Sequence, residues 1–261
     1  MFHFTLRYRK PQIIFQVGAY LGDDTLIEAS RKYGHHLYMF EPNPKRVADL
    51  MQKAAGAPTI RVIPAAVSNY DGRATFHIAC HDDCSSLQNF ASDANQTWVH
   101  EWHPYKRFEM VDELDVEVVR LDTFLNREGI DHIDLLEIDA QGEDLRVVAS
   151  LGERIHEVKR IQIEVNIHAA PLYDNSFGMN DAVRYFGGRG FEKYVSWKQC
   201  LNREENVIFR NRRYFPHVLV NRLCGFVEER IKAAYFAALK VPRVLQVTRM
   251  MLRQKLSPQR P

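Results

Sequence analysis

The stretch Gln12-Ile-Ile-Phe-Gln-Val-Gly-Ala-Tyr-Leu-Gly22 decides the fold class, because a short buried strand leads directly into a turn bracketed by glycines. Residues 12–17 are mostly apolar and β-branched, and residues 23–32 have the apolar spacing of a helix. Glycine at positions 18 and 22 lets the backbone turn tightly and approach a ligand closely. The helix that follows would point its free amide groups at that ligand.

The alternation of strand and helix continues along the chain. Further strands are predicted at 37–40, 61–63, 74–79, 116–120, 133–138 and 160–165, and helices at 44–55, 122–127, from about 142 and at 179–186. Asn43 is predicted to cap the second helix, and Asp122 the short helix at 122–127. Strands at 191–196 and 206–209 have no helix between them and should pair antiparallel. The pattern predicts an α/β fold with a mostly parallel sheet and an antiparallel closing strand.

Composition excludes several classes of protein. The chain has 261 residues, of which 46% are hydrophobic and 26% charged, so it is neither disordered nor of low complexity. Its four cysteines are too scattered for a disulfide framework, and its apolar runs are too short to span a membrane. We therefore expect a cytoplasmic protein.

Charge divides the chain at about residue 215. The segment 215–261 has nine Lys or Arg and two Glu, a net charge of +7, whereas the remainder has a net charge of −5. We predict one α/β domain at 1–214 and a basic helical C-terminal extension at 215–261. The extension is expected to pack on the domain or in a homodimer, and a peripheral contact with the inner face of the membrane is the alternative. An acidic domain does not favour nucleic acid as a partner.

Glu41 follows the second predicted strand, nineteen positions after Gly22. A carboxylate at that place in an α/β fold accepts hydrogen bonds from the two hydroxyls of a ribose. The glycine spacing is not Gly-x-Gly-x-x-Gly and has no phosphate-loop lysine, which disfavours a nicotinamide oxidoreductase.

Six motifs in order resemble the FkbM-type methyltransferases, over roughly residues 13–209. They are Phe15-Gln-Val-Gly-Ala-Tyr-Leu-Gly-Asp-Asp-Thr25, Phe40-Glu-Pro-Asn-Pro44, Ala65-Ala-Val-Ser-Asn-Tyr-Asp-Gly72, Ser85-Ser-Leu87, Val119-Arg-Leu-Asp122 and Asp134-Leu-Leu-Glu-Ile-Asp-Ala-Gln-Gly-Glu143. The resemblance implies a Rossmann-like class I fold, S-adenosylmethionine as cofactor and O-methylation. Gln16, Tyr20, Glu137 and Gln141 depart from the usual family residues, which are Asp, Asn, Lys and Glu.

The resemblance also implies which residues contact the cofactor. They are Gln16, Gly18, Ala19, Gly22, Thr25, Glu41, Pro42, Asn43, Ala66, Val67 and Asp139. Gln16 is expected to hydrogen-bond the methionine end of the cofactor, and Glu41 the ribose.

An alcohol must lose a proton when it is methylated, so a base is needed near the acceptor. The catalytic candidates are Asp139, Glu164 and His168, at the carboxyl ends of adjacent predicted strands, with His81 from the long loop as a further candidate. No metal is expected. Two metal alternatives are magnesium on Asp139, Glu164 and Asn166, and zinc on the cluster His77-x-x-Cys80-His81-x-x-Cys84.

The expected function is O-methylation of a sugar hydroxyl on a glycan, a glycolipid or a nucleotide-linked sugar. Aromatic residues of the long loop at 98–108 would suit a sugar face. A small-molecule acceptor such as a polyketide or a phenol is an alternative within enzymology. A scaffold that binds the cofactor without catalysis is the alternative from another class.

Overall fold

The computed structural model describes residues 10–98, 108–174, 176–198 and 203–215. The predicted C-terminal helices and most of the aromatic residues between 98 and 108 lie outside these ranges. Within them, no helix is long and apolar enough to cross a bilayer.

The strands are β1 Ile13–Val17, β2 His36–Phe40, β3 Ile60–Ile63, β4 Ala66–Val67, β5 Gly72–Ala79, β6 Met110–Val119, β7 Leu135–Ile138, β8 Arg160–Asn166, β9 Phe191–Lys198 and β10 Glu204–Asn211. The helices are α1 Asp24–Tyr33, α2 Pro44–Ala54, α3 Ala94–Thr97, α4 Leu121–Glu128, α5 Asp144–Ala149 and α6 Met179–Gly187. Short 3₁₀ turns occupy Asp82–Cys84 and Gly152–Glu157.

Seven strands form the main sheet, in the order β3-β2-β1-β7-β8-β10-β9. The pairs from β3 to β8 are parallel, and β10 is antiparallel to both β8 and β9. The mostly parallel Rossmann-like sheet and its antiparallel closing pair are therefore confirmed. Because β10 runs in the opposite direction, its first residues lie at the edge where the parallel strands end.

Apolar layers cover both faces of this sheet. Helices α4, α5 and α6 contribute Phe124, Val147 and Phe186 to one buried cluster, together with the inward side chains of β1, β7 and β8. Helices α1 and α2 contribute Leu26 and Leu50 to a cluster on the opposite face. The asymmetric apolar stripe of each helix accounts for this three-layer arrangement.

A second sheet has the order β4-β6-β5 and is a difference from the single sheet that we expected. The strand predicted at 116–120 begins at Met110, because antiparallel pairing with β5 extends it through a mostly exposed first half. Its core is Ala66, Phe76, Val116 and Val118. A hydrophobicity pattern cannot reveal a strand that depends on backbone pairing alone.

The observed N-termini of α1 and α2 agree with the sequence, whereas those of α4 and α5 differ from the predictions. Asp23 caps α1, and Asn43 caps α2 as predicted. The predicted cap at Asp122 is wrong, because Arg120 occupies the cap position and Asp122 pairs with its guanidinium at 2.5 Å. The helix expected from about Gly142 begins at Asp144, since Gly142 has a φ of 96° that a right-handed helix excludes.

Candidate active site

A pocket of about 560 Å³, partly open to solvent, lies where β1, β2 and β7 end. Its lining combines the glycine-bracketed turn, the residues after β2, the start of the second sheet and the loop after β7. The lining residues are Val17, Gly18, Tyr20, Phe40, Glu41, Pro42, Asn43, Ala65, Ala66, Val67, Phe76, Asp82, Asp83, Ser85, Leu87, Asp139, Ala140, Gln141 and Glu143. We call it the cofactor pocket. The carboxyl edge of a parallel sheet is the usual place for ligands in open α/β folds.

Gly18 brings two strand ends into close contact at the floor of this pocket. Its φ is +72°, and a Cβ at this position would lie 2.0 Å from the carbonyl oxygen of Asp139. Its amide donates to the carbonyl of Phe40 at 3.1 Å. Glycine is therefore required here both by the backbone conformation and by the space available.

Glu41 ends β2 as a buried carboxylate that is 5% exposed. One oxygen accepts the backbone amide of Tyr20 at 2.8 Å, and the other accepts that of Asn43 at 2.8 Å. Burial raises the pKa of Glu41 to about 7, although the two amides oppose that shift. Each carboxylate oxygen has a second lone pair, so Glu41 can still accept both hydroxyls of a ribose.

Tyr20 has a φ of 50° and connects the glycine-bracketed turn to the segment after β5. Its hydroxyl donates to Asp82 at 2.9 Å, and the guanidinium of Arg46 lies 4.9 Å from its ring centroid. Arg46 also donates to Asp82 from Nε at 2.8 Å. Burial tends to raise the pKa of Asp82, but the bonds from Arg46 and Tyr20 outweigh it and hold that pKa below its usual value. Hydrogen bonds that involve charged groups thus join the glycine-bracketed turn to the segment after β5 at this wall of the pocket.

The segment after β5 is also bonded to the loop after β7. Ser86 Oγ donates to the carbonyl of Gln141 at 2.6 Å, and Gln88 Nε2 donates to Glu143. Glu143 further accepts Ser68 Oγ at 3.0 Å and is 2% exposed. Glu143 therefore holds three walls of the cofactor pocket together.

A second, smaller pocket, whose space of about 290 Å³ includes open solvent, lies beside the first along the same sheet edge. It is lined by Gln141, Gly142, Asp144, Glu164, Asn166, Tyr173, Ser176, Phe177 and Glu204. We call it the acidic pocket. Gln141 lines both pockets, and Asp139 stands on the cofactor side of this boundary.

Three carboxyl groups at this boundary hold protons more tightly than usual. Burial raises the pKa of Glu204 to about 7, and the charge of Asp139 adds to the shift. Asp139 is open to the pocket, but the surrounding protein desolvates it and raises its pKa. Asp144 is 2% exposed, and its pKa is raised by burial and then by Asp139. Glu204 therefore exchanges its proton near neutral pH, and the upward shift at Asp139 makes that carboxylate a stronger base.

Gln141 orients Asp139 from the boundary between the pockets. Its Nε2 donates to Asp139 Oδ1, and its Oε1 lies 2.7 Å from the hydroxyl of Tyr173. Tyr173 is 2% exposed and stacks on Phe90 at 5.3 Å. A Cβ on Gly142 would lie 2.9 Å from that of Tyr173, so the glycine makes room for the ring. The orientation of Asp139 therefore depends on residues of both pockets.

The predicted cofactor residues fall into two groups. Those that line the cofactor pocket are Gly18, Glu41, Pro42, Asn43, Ala66, Val67 and Asp139. Those that do not line it are Gln16, Ala19, Gly22 and Thr25. Gln16 Nε2 donates to Glu137 at 3.4 Å beneath the turn, so its amide is engaged away from the pocket. Gly22 lies under Leu50 and Ile27, where a Cβ would be 2.9 Å from Leu50.

The three predicted catalytic residues are also divided. Asp139 lines the cofactor pocket and Glu164 the acidic pocket, and their strands β7 and β8 are adjacent as expected. His168 lines neither pocket. Its Nδ1 lies 3.2 Å from both the amide and the carbonyl of Ala170, so its ring supports the local loop.

Neither of the two alternative metal sites forms a cluster of ligands in the described part of the chain. Among residues 10–98, 108–174, 176–198 and 203–215, no three His, Cys, Asp or Glu are arranged to hold an ion. Asn166 Oδ1, the proposed magnesium ligand, accepts the amide of His168 at 2.9 Å. The absence of a metal requirement stays a prediction.

Reasoning from the sequence missed Glu204, Tyr173, Asp144 and the pair Tyr20–Asp82. Strand direction was the available signal for Glu204, because an antiparallel closing strand begins at the edge where β8 ends. Tyr173 and Asp82 lie in loops without periodicity, and their approach to the site depends on tertiary structure.

The cofactor pocket fits the chemistry of S-adenosylmethionine. Of its lining residues, five are acids and none is Lys, Arg or His. Such a lining attracts the positively charged sulfonium and ammonium groups and repels the diphosphate of a dinucleotide. Apolar side chains of Pro42, Val67, Phe76 and Leu87 provide a wall suited to an adenine ring. Glu41 would hold the ribose.

Comparisons with known proteins agree with this assignment. Residues 16–193 match the model of the Methyltransferase FkbM domain. A curated relative, the 2-O-methyltransferase NoeI of Sinorhizobium fredii (strain NBRC 101917 / NGR234), is 26% identical over 153 residues, which are 58% of this chain and 62% of that protein. The match therefore spans less than two thirds of the length of that relative.

Two solved structures are similar to this chain at low identity and low TM-score. TrmK of M. capricolum with S-adenosyl-homocysteine has a TM-score of 0.44 and 9% identity, covering 81% of this chain and 69% of that one. Fibrillarin of Aeropyrum pernix with S-adenosyl-L-methionine has a TM-score of 0.43 and 12% identity, covering 77% and 67%. With the family model matching more than half of its residues, this chain belongs to the FkbM methyltransferases, and its cofactor is S-adenosylmethionine.

Proposed function

We propose that the protein is an O-methyltransferase that methylates a sugar hydroxyl of a glycan, a glycolipid or a nucleotide-linked sugar. One observation supports this most: Asp139 and Gln141 stand between the cofactor pocket and a polar pocket lined by three acids, of which Glu204 has a pKa raised to about 7. Such a pocket offers hydrogen-bond acceptors to a polyhydroxylated ring. The 26% identical relative is itself named as a 2-O-methyltransferase, which supports oxygen as the acceptor atom.

When bound, S-adenosylmethionine supplies a methyl group on a positively charged sulfur, whose bond to carbon breaks as the acceptor oxygen attacks. Glu41 and the glycine-bracketed turn bind the nucleoside and fix its position. Asp139, held by Gln141, accepts the proton of the acceptor hydroxyl, and burial together with the charge of Asp83 raises its pKa. A base with a raised pKa is the more effective at neutral pH.

The test is transfer of a labelled methyl group from S-adenosylmethionine to a panel of glycans, glycolipids, nucleotide-linked sugars and phenols. We expect alkali-stable label on a sugar hydroxyl, and we expect Asp139→Asn to lower kcat by about 100-fold or more while the cofactor still binds. The matched control is Asp112→Asn, a change in the exposed half of β6. Turnover should survive EDTA.

Two outcomes would contradict the proposal. Label on phenols but on no sugar would favour the small-molecule alternative. Cofactor binding with no transfer to any acceptor would favour the catalytically inactive scaffold.

A further inference from the structure

Five carboxylic acids line the cofactor pocket, and four of them already accept hydrogen bonds from the protein. These four are Glu41, Asp82, Asp139 and Glu143. Asp82 is also matched by the guanidinium of Arg46, and Glu143 by a cation 2.7 Å away. The fifth acid, Asp83, is exposed, and no donor to its carboxylate is found in the part of the chain that the structure describes. Asp83 is therefore the lining acid that the described protein leaves without a bonded partner.

Asp83 lies on a turn that is anchored at the pocket. Its neighbour Asp82 accepts the hydroxyl of Tyr20 at 2.9 Å and Nε of Arg46 at 2.8 Å, which holds the 3₁₀ turn after β5 in place. Burial raises the pKa of Asp139, and the charge of Asp83 adds to that shift. The same charge contributes, after burial and Asp82, to the raised pKa of Tyr20. Asp83 is therefore within electrostatic reach of both the glycine-bracketed turn and the end of β7.

The methionine part of S-adenosylmethionine carries an ammonium group, which has one positive charge and three donors. The family resemblance implied Gln16 for this end of the cofactor. In the structure Gln16 is 7% exposed, does not line the cofactor pocket and donates from Nε2 to Glu137 at 3.4 Å. A side chain buried beneath the turn is poorly placed to receive a group that enters the pocket from solvent. The ammonium group therefore needs a different acceptor among the lining residues.

We infer that Asp83 is a cofactor-binding residue whose carboxylate accepts the ammonium group of the methionine part, in place of Gln16. A carboxylate and an ammonium group form a charge-assisted hydrogen bond, which is stronger than a bond between neutral groups. Because Asp83 is exposed, water screens this ion pair and its effect on affinity is modest. This role for Asp83 does not depend on which acceptor is methylated.

Isothermal titration of the full-length protein at neutral pH tests this role with two nucleosides. They are S-adenosyl-homocysteine and its deaminated analogue, in which hydrogen replaces the amine, and the ratio of their affinities is the amine preference. The wild type should prefer S-adenosyl-homocysteine by about tenfold or more. Asp83→Asn should reduce the amine preference by about three- to tenfold, because it weakens the binding of S-adenosyl-homocysteine alone. Asp83→Glu keeps the charge and should retain most of the preference.

Asp131→Asn is the matched control. Asp131 is exposed and precedes β7, so this change removes the same charge at the end of the strand that is away from the pocket. Its amine preference should stay within about twofold of the wild-type value, and so should that of Gln16→Leu. Because the preference is a ratio measured within one protein, a variant that is less stable still reports it.

Three results would each overturn this role for Asp83. They are no amine preference in the wild type, a preference in Asp83→Asn within about twofold of the wild-type value, and a loss of the preference in Gln16→Leu. No acceptor enters these titrations. A failure to methylate any sugar would therefore contradict the proposed function and leave the role of Asp83 standing.

Discussion

The carboxylate of Glu41 accepts the backbone amide of Tyr20 at 2.8 Å, so one side chain both faces the cofactor pocket and holds the turn that begins at Gly18. Tyr20 in turn donates to Asp82 from its hydroxyl. Glu41, the turn and the segment after β5 are thereby one bonded unit. Loss of the carboxylate should loosen the turn as well as remove a ligand contact.

Glu41→Ala is expected to weaken S-adenosyl-homocysteine binding by about 1–3 kcal/mol, the cost of losing hydrogen bonds to a charged group. Isothermal titration measures this loss directly. Glu28→Ala, on the exposed face of α1, is the matched control and should bind like the wild type. Unchanged affinity in Glu41→Ala would place the ribose elsewhere.

The affinity for S-adenosyl-homocysteine should rise with pH. Glu41 must be ionised to accept both hydroxyls, and its pKa in the ligand-free protein is about 7, with Tyr20, Arg46 and Asp82 as its charged or polar neighbours. Below that pKa the carboxyl is protonated, so binding should weaken by up to about tenfold per pH unit as pH falls from 7 to 5.5. Titrations across this range check the slope, and Glu41→Gln should flatten it.

Gly18→Ala should destabilise the protein and abolish nucleoside binding. Gly18 and Gly56 have nearly the same φ, +72° and +75°, but only at Gly18 would the new Cβ meet an atom, the carbonyl oxygen of Asp139 at 2.0 Å. Gly56→Ala should therefore cost about 1 kcal/mol of unfolding free energy from backbone strain alone. Gly18→Ala should cost at least about 2 kcal/mol more, because the backbone must move. Urea denaturation of the two variants separates the free-energy cost of backbone strain from the cost of the steric clash.

Replacing Glu204 should stabilise the ligand-free protein at alkaline pH. Its folded pKa of about 7 lies above the usual value of 4.5, so the folded state disfavours ionisation, and stability is lost as pH rises from 4.5 through 7. Glu204→Gln removes that penalty, and we expect a gain of about 1–3 kcal/mol at pH 8 and little change near pH 4.5. Denaturation at both pH values measures it. A loss of stability at pH 8 would show that the Glu204 carboxylate has a compensating partner.

The basic segment 215–261 is expected to pack against protein, not lipid. Its net charge is +7, but its apolar stripe includes Ala233, Ala234, Ala237 and Ala238, which favour close helix contact over lipid insertion. Co-sedimentation with anionic vesicles should detect no binding, and truncation at Phe215 should lower stability or dissociate an oligomer. Binding to anionic but not neutral vesicles, lost in a truncated domain that stays folded, would reverse this expectation.

The sheet and the cofactor side of the site could be predicted because they depend on local signals. Strand β1, its glycine turn, the Asn43 cap and Glu41 all lie within 32 residues and follow from periodicity and turn chemistry. The closing pair β9–β10 could be predicted because no helix separates its strands. The sequence signals that predict these elements lie in neighbouring residues.

The acceptor side could not be predicted in the same way. Tyr173 reaches Gln141 across 32 positions and Cys84 across 89, and no local pattern indicates that these residues meet. The raised pKa of Glu204 depends on burial and on Asp139, which are tertiary properties. His168 is the converse case. It is a residue type suited to catalysis and it follows β8, but its ring is bonded within its own loop.

The missing side chain of Gly142 has a consequence for any attempt to redesign the acceptor range. Tyr173 occupies the space that a Cβ on Gly142 would need, and the same phenol lies beside Gln141, which holds Asp139. Positions 142, 173 and 141 therefore vary only as a set, whereas Ser176, Phe177 and Glu204 line the acidic pocket without sharing that constraint. A mutant library for new acceptors should therefore vary positions 176, 177 and 204. Randomising positions 141, 142 and 173 would mostly yield proteins that bind cofactor without turnover.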